Sequence, residues 1–349
     1  MRNAIAFNTP FSGFCGTTFI SCFTSSFVHL ENIYVSGADL EKYYCLFDTM
    51  CGRSSLRSRF DGKPTKAEKM ICETDFLDGG TKNNTDFLFG FTGYTYRKLT
   101  NIPDFRESIR KSIDEKKPVI AKVKSGDNRF RVISGYDDDD LICPDFINAL
   151  RKPDRAPSYD EIDLVYIFGD RGSAPRFTFT DALNRIRRIM EYNVKLDFWG
   201  SYKEKMGISG ADGLGSVSID EKRARMKRVS ETMLLTYGSR NFAEAFRNLA
   251  FEKDSRMYER FREAKIMKDV EFTRIIDNVC KNFCDYSHDL AWALINLEQC
   301  ADWSKHTSMY YGGMIDLSIS QIAKNDAEVL AAVTEIIYKL DELDKNSKK

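Results

Sequence analysis

The C-terminal half of the chain limits the possible folds most strongly, because its residue pattern is helical almost throughout. Between Asp220 and Leu343 there are few glycines and no prolines, the residues that most often interrupt helices. The Gly-rich segment 206–219 follows a helix rather than a strand, so it is predicted to be a linker and not a phosphate-binding loop. Four or five helices are expected beyond it, at roughly 220–237, 240–265, 270–300, 306–323 and 325–343.

The first 205 residues mix helical and strand-like patterns, so the chain is predicted to be α+β. We expect a domain with an antiparallel sheet over 1–205 and an α-helical domain over 220–349. Helices are expected at 15–30, 38–50, 103–116 and 178–192, with Gly52 ending the second. Strand-like runs occur at 85–96, 118–123, 130–136, 140–144 and 162–168.

The acidic run from Asp137 to Asp140 joins two of these strand-like runs. It lacks the spaced oxygen ligands and the glycine of a calcium loop. Two short strands separated by polar residues are typical of a hairpin. The run therefore predicts a hairpin turn with a solvated tip rather than a cation site.

Charge and cysteine content exclude several classes of partner. Lys+Arg and Asp+Glu both number 52, so no global basic field points to nucleic acid or an anionic membrane. No segment approaches the roughly 20 apolar residues of a membrane span, and the N-terminus is unlike a signal peptide. Nine cysteines without short paired spacings indicate free thiols in a reducing compartment, which predicts a cytoplasmic protein.

Cys15 stands at the predicted start of the first helix, directly after a Pro/Ser/Gly turn. The unpaired backbone N–H groups and the dipole at a helix N-terminus favour a thiolate. Cysteine hydrolases and acyltransferases use such a thiolate as a nucleophile. The alternative is a buried structural cysteine, since free cysteines are among the most buried residues in proteins.

A second informative stretch follows more than a hundred residues later. It comprises Pro118-Val119-Ile120, then the run Arg-Phe-Arg-Val-Ile-Ser-Gly-Tyr-Asp over 129–137, then Asp145. Together with Cys15, this order resembles the papain-like superfamily. It is most similar to the double-glycine bacteriocin-processing peptidases and to the N-terminal domain of butirosin biosynthesis protein H. The resemblance covers about the first 150 residues and implies a papain-like domain.

The resemblance also implies roles for individual residues. Cys15 matches the nucleophile and Asp145 the residue that orients the family's histidine. Arg129 occupies the position of that histidine, 16 residues before Asp145. Asn8 is a candidate for the amide of the oxyanion hole, although its offset from Cys15 is one residue too long. Backbone N–H groups around Cys15 and Gly16 would otherwise form that hole.

The arginine changes the chemistry that the resemblance implies. Arg129 has a pKa above about 12, so it cannot accept and return a proton as imidazole does, but its charge can lower the Cys15 pKa. His29 lies 14 residues beyond Cys15, roughly 21 Å away along an unbroken helix. His288 and His306 could reach Cys15 only if the helical half covers the cleft.

Cys280, Cys284 and His288 share one predicted helix face. The first and third of them are about 12 Å apart along the axis, too far to bind one zinc ion. Apolar neighbours favour core cysteines instead. No metal and no cofactor are predicted.

These observations predict cysteine-dependent acyl transfer, or amide or thioester hydrolysis, through an acyl-enzyme at Cys15. The expected substrates are a small molecule, an acyl carrier or a peptide, and the expected setting is peptide or natural-product biosynthesis. A hydrophobic ligand could contact some of Phe14, Phe87, Phe89, Phe91, Tyr94 and Tyr96. One alternative is an inactive pseudoenzyme that uses Arg129 to bind a peptide, a carrier protein or a small anion. Another makes the helical half a homo-oligomerisation module.

Overall fold

A computed structural model of the 349-residue chain describes residues 2–6, 19–33, 37–52, 54, 84–124, 130–144, 156–195, 199–200, 203, 217–221, 241–242, 244–247, 292, 296 and 305–346. Helices and antiparallel sheets occur together, which confirms the predicted α+β class. The chain forms two compact units, Met1–Phe47 with Lys69–Phe177 and Asp48–Glu68 with Thr178–Lys349. Most of the predicted linker 206–219 lies outside the described residues, so the division at that segment stays a prediction.

The first unit contains seven described strands in two antiparallel sheets. The order of the four-stranded sheet is β2-β7-β3-β4, and that of the three-stranded sheet is β1-β5-β6. The strands are β1 (Arg2–Ala4), β2 (Tyr94–Leu99), β3 (Val119–Val123), β4 (Phe130–Ile133), β5 (Gly135–Asp137), β6 (Asp140–Ile142) and β7 (Ile162–Arg171). Its helices are α1 (Phe19–Leu30), most of α2 (Gly37–Met50), α3 (Asn84–Thr92) and α4 (Ile102–Asp114).

Aromatic rings cover one face of the four-stranded sheet. Phe23 of α1 is fully buried, and its ring centroid lies 5.1 Å from that of Phe89, 5.4 Å from Phe47 and 5.7 Å from Phe168. Successive strand residues point to opposite faces. Val165 and Ile167 of β7 therefore pack into a separate, mostly aliphatic cluster together with α4. The two faces bury apolar side chains against different helices, which fixes the register of the strands.

The prediction of a strand over 85–96 is wrong for most of its length. Asn84–Thr92 is helix α3, and the strand β2 begins only at Tyr94, after Gly93 with φ of +83°. Phe87, Phe89 and Phe91 alternate as in a strand, but all three are buried because the helix is enclosed on more than one side. Phe87 and Phe91 stack one turn apart at 5.7 Å, while Phe89 stacks on Tyr96 at 4.4 Å.

The second unit contains the last turn of α2 and two long described helices, α5 (Phe179–Lys195) and α6 (Lys305–Asn346), which pack against each other. The hydroxyl of Thr178 accepts a hydrogen bond from the Asp181 N–H at 3.1 Å. The Asp181 carboxylate accepts one from the Thr178 N–H at 2.8 Å, so α5 begins with a reciprocal cap. This agrees with the helix predicted from residue 178.

The prediction of two helices over 306–323 and 325–343 is wrong, because α6 is a single helix of 42 residues. The polar pair Asn325 and Asp326, next to the predicted break, lies on the buried side of α6. Trp199 Nε1 donates to Asp326 Oδ2 at 2.8 Å and Gln321 Nε2 donates to Asn325 Oδ1 at 3.2 Å. Partners supplied by the fold therefore allow polar residues in the middle of the helix.

Candidate functional site

The five residues that the sequence assigned to the site are Asn8, Cys15, Gly16, Arg129 and Asp145, and all five lie outside the described residues. Their roles therefore stay predictions. The structure does describe elements that flank three of them in the chain. These are α1, which begins four residues after Cys15, β4, which directly follows Arg129, and β6, which ends three residues before Asp145.

The described flanks of Cys15 and Arg129 meet. Helix α1 packs on β3 and β4. The ring of Phe19 lies edge-on to that of Phe130, with centroids 5.5 Å apart, and also edge-on to Tyr166 at 5.2 Å. Both phenylalanines are buried. The first turn of α1 is thus fixed against the beginning of β4.

The run Phe-Arg-Val-Ile-Ser-Gly-Tyr-Asp passes from one sheet to the other. Its first half is β4 of the four-stranded sheet and its second half is β5 of the three-stranded sheet. The Ser134 N–H donates to Ile142 O at 2.9 Å where the two halves meet. A Cβ on Gly135 would lie 2.7 Å from Asn3 O, so only glycine allows β1 to pair this closely. The segment leading to Asp145 therefore runs beside the segment that follows Arg129.

Arg131 is a buried cation that the sequence analysis did not assign. It lies in β4 opposite Ala121 of β3, and only 8% of it is exposed. Its charge acts on two thiols, Cys22 of α1 and Cys143 after β6. The alternation Arg-Phe-Arg-Val was the available signal, because in a strand two residues apart share a face.

Neither Cys22 nor Cys143 is an activated nucleophile. Burial raises the pKa of Cys143 to about 12 and raises that of the fully buried Cys22 well above its ordinary value. The nearby Arg131 guanidinium opposes both shifts, but burial has the larger effect. Cys45 and Cys51 are buried as well. The pKa is thus raised, not lowered, at both Cys22 and Cys143.

His29 lies in the last turn of an unbroken α1, about 15 Å along the axis from Phe19. Burial lowers the pKa of its imidazole. This histidine is therefore at the opposite end of α1 from the contact with β4. His288 lies outside the described residues, and the structure describes the backbone of His306 in α6 but not its side chain.

The aromatic side chains suggested as a lining for a ligand belong largely to the core. Phe87, Phe89 and Phe91 are buried, and Phe87 stacks on Phe177 at 5.1 Å. Tyr94 is partly buried, and its hydroxyl donates to Glu31 Oε1 at 2.9 Å. Phe14 lies outside the described residues. The rings of α3 thus stabilise the fold and do not face a ligand.

The acidic run forms a turn, as predicted. Asp138 and Asp139 connect β5 and β6, and Asp138 has φ of +48°. The carboxylate of Asp139 pairs with Arg106 at 2.8 Å and with Arg110 at 3.7 Å, while Arg110 also donates to the Asp138 carbonyl. Two arginines of α4, and not a cation site, face this turn.

Within the described parts of the chain, no three His, Cys, Asp or Glu side chains converge as a metal site would require. Cys280, Cys284 and His288 lie outside those parts. No described helix combines the length and apolar character of a membrane span.

Comparison with known proteins gives no family for this chain. No family model matches the sequence, and no curated protein matches it at a significant level.

Proposed function

We propose that this chain is a papain-like cysteine acyltransferase or peptidase in which Cys15 forms a covalent acyl intermediate. The observation that carries the proposal is the contact between Phe19 and Phe130, at 5.5 Å between ring centroids. These residues follow the proposed nucleophile by four positions and the proposed charged partner by one. A cation lowers the pKa of a thiol only from within about 6 Å, so the two segments must meet for Cys15 to be activated.

The two antiparallel sheets also support the proposal. Helix α1 packs against the four-stranded sheet. In the three-stranded sheet, β6 before Asp145 lies beside β5 of the run after Arg129. This is the order of helix and strands on which the resemblance to the papain-like superfamily rests. The raised pKa of Cys22 and Cys143 leaves neither of them as a competing nucleophile near β4.

In the proposed reaction the Cys15 thiolate attacks the carbonyl carbon of an acyl donor. The bond from that carbon to the leaving group breaks, and the acyl group becomes a thioester of Cys15. An amine or water then attacks this thioester and gives its proton to the thiolate that has left or to solvent. The carbon–sulfur bond breaks, which releases an amide or an acid and regenerates the Cys15 thiolate. Asp145 would orient the arginine at the position of the family's histidine, and backbone N–H groups near Gly16, with or without Asn8, would stabilise the oxyanion.

Arginine at position 129 favours a thioester donor over an amide. A thiolate leaves without a proton, because the pKa of a thiol is about 8.5. An amine leaving group must be protonated, and arginine cannot release a proton near neutral pH. We therefore propose an acyl thioester, small or attached to a carrier, as the donor, and a peptide or small amine as the acceptor. The scattered spacing of the nine cysteines supports a cytoplasmic location, and the four described cysteines form no disulfide.

The first test is the pH dependence of Cys15 alkylation by iodoacetamide, read by peptide mass mapping. We expect Cys15 to titrate well below the reference thiol pKa of about 8.5, because Arg129 and the helix N-terminus stabilise its thiolate. The buried Cys22, Cys45 and Cys51 serve as unreactive references in the same sample. Titration of Cys15 at or above the reference value would contradict the proposal.

A second test exchanges the charged partner. Arg129→His supplies a group that can donate a proton, so we expect it to add amide hydrolysis to thioester turnover. The control Arg129→Gln removes the charge without adding an acid, and it should raise the Cys15 pKa and slow acylation. Equal alkylation and equal turnover in all three proteins would show that position 129 does not act on Cys15.

A second candidate function is binding without turnover. This function is favoured by Arg129, which stands where the papain-like superfamily has a histidine. A guanidinium binds carboxylates and phosphates with two parallel hydrogen bonds. In that case the chain would hold a peptide, a carrier protein or a small anion in the cleft. Binding of a thioester analogue that survives Cys15→Ser and fails in Arg129→Ala, without any acyl adduct on the parent protein, would establish this function instead.

A further inference from the structure

The exposed side of α6 carries a row of residues at seven-residue spacing. The row comprises Tyr310, Leu317, Lys324, Ala331 and Tyr338, and all five are exposed. Tyr310 is 59% exposed, Leu317 69% and Tyr338 64%, so its large members lie almost entirely in solvent. The exposed side of a helix in a globular protein is usually charged. Within this row only Lys324 carries a charge.

A second row begins three residues after the first and is made mostly of small residues. It comprises Gly313, Ser320, Ala327, Thr334 and Asp341, all exposed. The two rows form one stripe with the spacing of a coiled-coil seam, and we call it the heptad stripe. It extends over about 46 Å of the helix. A repeat of seven keeps facing a partner when two helices supercoil around each other.

The two hydroxyl-bearing members of the second row, Ser320 and Thr334, can be covered by a partner without losing hydrogen bonds. The Ser320 hydroxyl donates to Asp316 O at 2.8 Å and accepts from the Lys203 ammonium. The Thr334 hydroxyl donates to Leu330 O at 2.7 Å. Both hydroxyls already have partners within the chain, so burying them leaves no donor unsatisfied.

Among the residues that the structure describes, none gives Gly313 a packing reason. A Cβ placed on it would meet no described atom within 4 Å. Glycine inside a helix costs about 1 kcal/mol relative to alanine. No described neighbour needs the missing side chain, and a large side chain from another molecule would fill this space.

The heptad stripe is complementary to the same stripe on a second copy of α6 that runs in the opposite direction. Two copies of α6 aligned antiparallel, with the first row of each against the second row of the other, place Gly313 opposite Tyr338 and Leu317 opposite Thr334. Small residues meet where Ser320 faces Ala331. The remaining layers pair Lys324 with Ala327, close to Glu328 of the second copy, and Tyr310 with Asp341, whose carboxylate can accept the phenol hydrogen bond. No layer joins like charges.

We propose that the chain forms a homodimer through antiparallel pairing of two α6 helices along the heptad stripe. The occupant of this surface is a second copy of the chain, because the matching of large to small residues uses positions at both ends of one helix. A parallel pair would place Lys324 against Lys324 and Gly313 against Gly313, which brings like charges together and leaves a void. This inference is independent of the proposed acyl transfer.

Light scattering of the full chain at high micromolar concentration tests the dimer. We expect twice the monomer mass for the parent protein and the monomer mass for Leu317→Glu, because two carboxylates would enter the apolar seam. The matched control is Val194→Glu in α5, where the parent residue is 46% exposed and lies off the stripe. It should leave the dimer mass unchanged. A monomeric parent, or a Val194→Glu effect equal to that of Leu317→Glu, would overturn the proposal.

An exchange of sizes tests the layer of Gly313 and Tyr338. Gly313→Tyr has open space in its own chain, so the protein should keep its circular dichroism spectrum and become monomeric. Adding Tyr338→Ala should restore the dimer, because the large and small partners have then changed places. A dimer that persists in Gly313→Tyr, or one that the second substitution does not restore, would refute this layer.

Disulfide trapping tests the direction of the pair. Ser320→Cys with Ala331→Cys should give crosslinked dimers, confirmed by peptide mapping against the native cysteines. These positions are about 16 Å apart along one helix, whereas a disulfide needs Cα atoms within roughly 7 Å, so the bond must join two chains. Ala331→Cys alone should not crosslink at this position in the antiparallel pair. Efficient crosslinking by Ala331→Cys alone would indicate a parallel pair and overturn the proposed arrangement.

Discussion

At the scale of single residues, two glycines in the second unit have opposite environments. Gly52 has φ of +86°, and a Cβ on it would lie 2.3 Å from Ile189 Cδ1. Gly313 lies in the third turn of α6, with no described atom within 4 Å of a Cβ built on it. The same substitution should therefore have opposite effects at the two positions. In each case the cause is local backbone geometry and packing rather than composition.

We expect Gly52→Ala to lower the free energy of unfolding by about 2 kcal/mol or more, because a left-handed conformation and a steric overlap add together. Gly313→Ala should raise it by about 0.5–1 kcal/mol through helix propensity. Urea unfolding of both variants in a Leu317→Glu background, where association is removed, gives the comparison. Two changes of equal sign would contradict these environments.

At the scale of elements, the buried ring of Phe23 holds α1 against its neighbours. Phe23 is fully buried, and aromatic rings from α2, α3 and β7 surround it. We expect Phe23→Ala to reduce the free energy of unfolding by about 3–5 kcal/mol, because the cavity cannot collapse between these elements. Phe23→Leu should cost clearly less. Denaturant unfolding checks both, and similar losses for the two variants would show that the site closes around a missing ring.

A hydrogen-bonded carboxylate joins α4 to β1 and β5. Asp114 at the end of α4 accepts hydrogen bonds from Asn3 of β1 at 2.6 Å and from the Tyr136 hydroxyl of β5 at 2.9 Å. These bonds hold the pKa of Asp114 below its ordinary value, with help from the charges of Lys116 and Arg110. The bond to Asp114 also raises the pKa of Tyr136. The stabilisation is present above the unfolded pKa of about 3.9 and is lost as pH falls through the folded value.

Asp114→Asn should therefore be less stable than the parent at pH 7, and the difference should shrink as the pH falls below about 4. Thermal unfolding midpoints measured from neutral to acid pH give this difference directly. Tyr136→Phe is the control that removes one of the two hydrogen bonds while leaving the carboxylate in place. A difference between Asp114→Asn and the parent that does not change with pH would exclude the proposed role of the charge.

Some of these elements could be predicted from neighbouring residues in the sequence, and others could not. Helices α2, α4 and α5 follow from apolar spacing and from punctuation by Gly52, Pro103 and Thr178. The strand predicted over 85–96 was wrong because residues that alternate with period two can all be buried when a helix is enclosed. The break predicted in α6 was wrong because Trp199, far away in the chain, supplies the partner for Asp326. Such contacts cannot be found from neighbouring residues.

For the candidate site, the sequence names Cys15, Arg129 and Asp145, which lie outside the described residues, so their roles stay predictions. The predicted site did not include Arg131, although it included Arg129, two residues earlier. A charged residue on the inward side of a short strand is unexpected from propensity, because burial of a charge is unfavourable without partners. Only the packing of α1 on β4 shows that this cation acts on Cys22.

At the scale of the whole molecule, α2 belongs to both compact units. Its residues through Phe47 group with the first unit and its last turn with the second. Cys45 and Cys51 are buried six positions apart across this division. We expect both thiols to become reactive at the same urea concentration, because a continuous helix joins them. Pulse alkylation with mass mapping tests this, and labelling of Cys51 well before Cys45 would show that the units unfold separately.

The shared helix also has a consequence for synthesis of the protein on the ribosome. Asp48 accepts a hydrogen bond from Asn241, which lies 193 residues later, and the Cys51 carbonyl accepts one from Arg185. At translation rates of about 5–20 residues per second, Asp48 emerges roughly 10–40 s before its partner exists. The first unit is complete within that interval, while the end of α2 still lacks the contacts that bury it. The nascent chain thus carries an unfinished helix end until residue 241 has been synthesised.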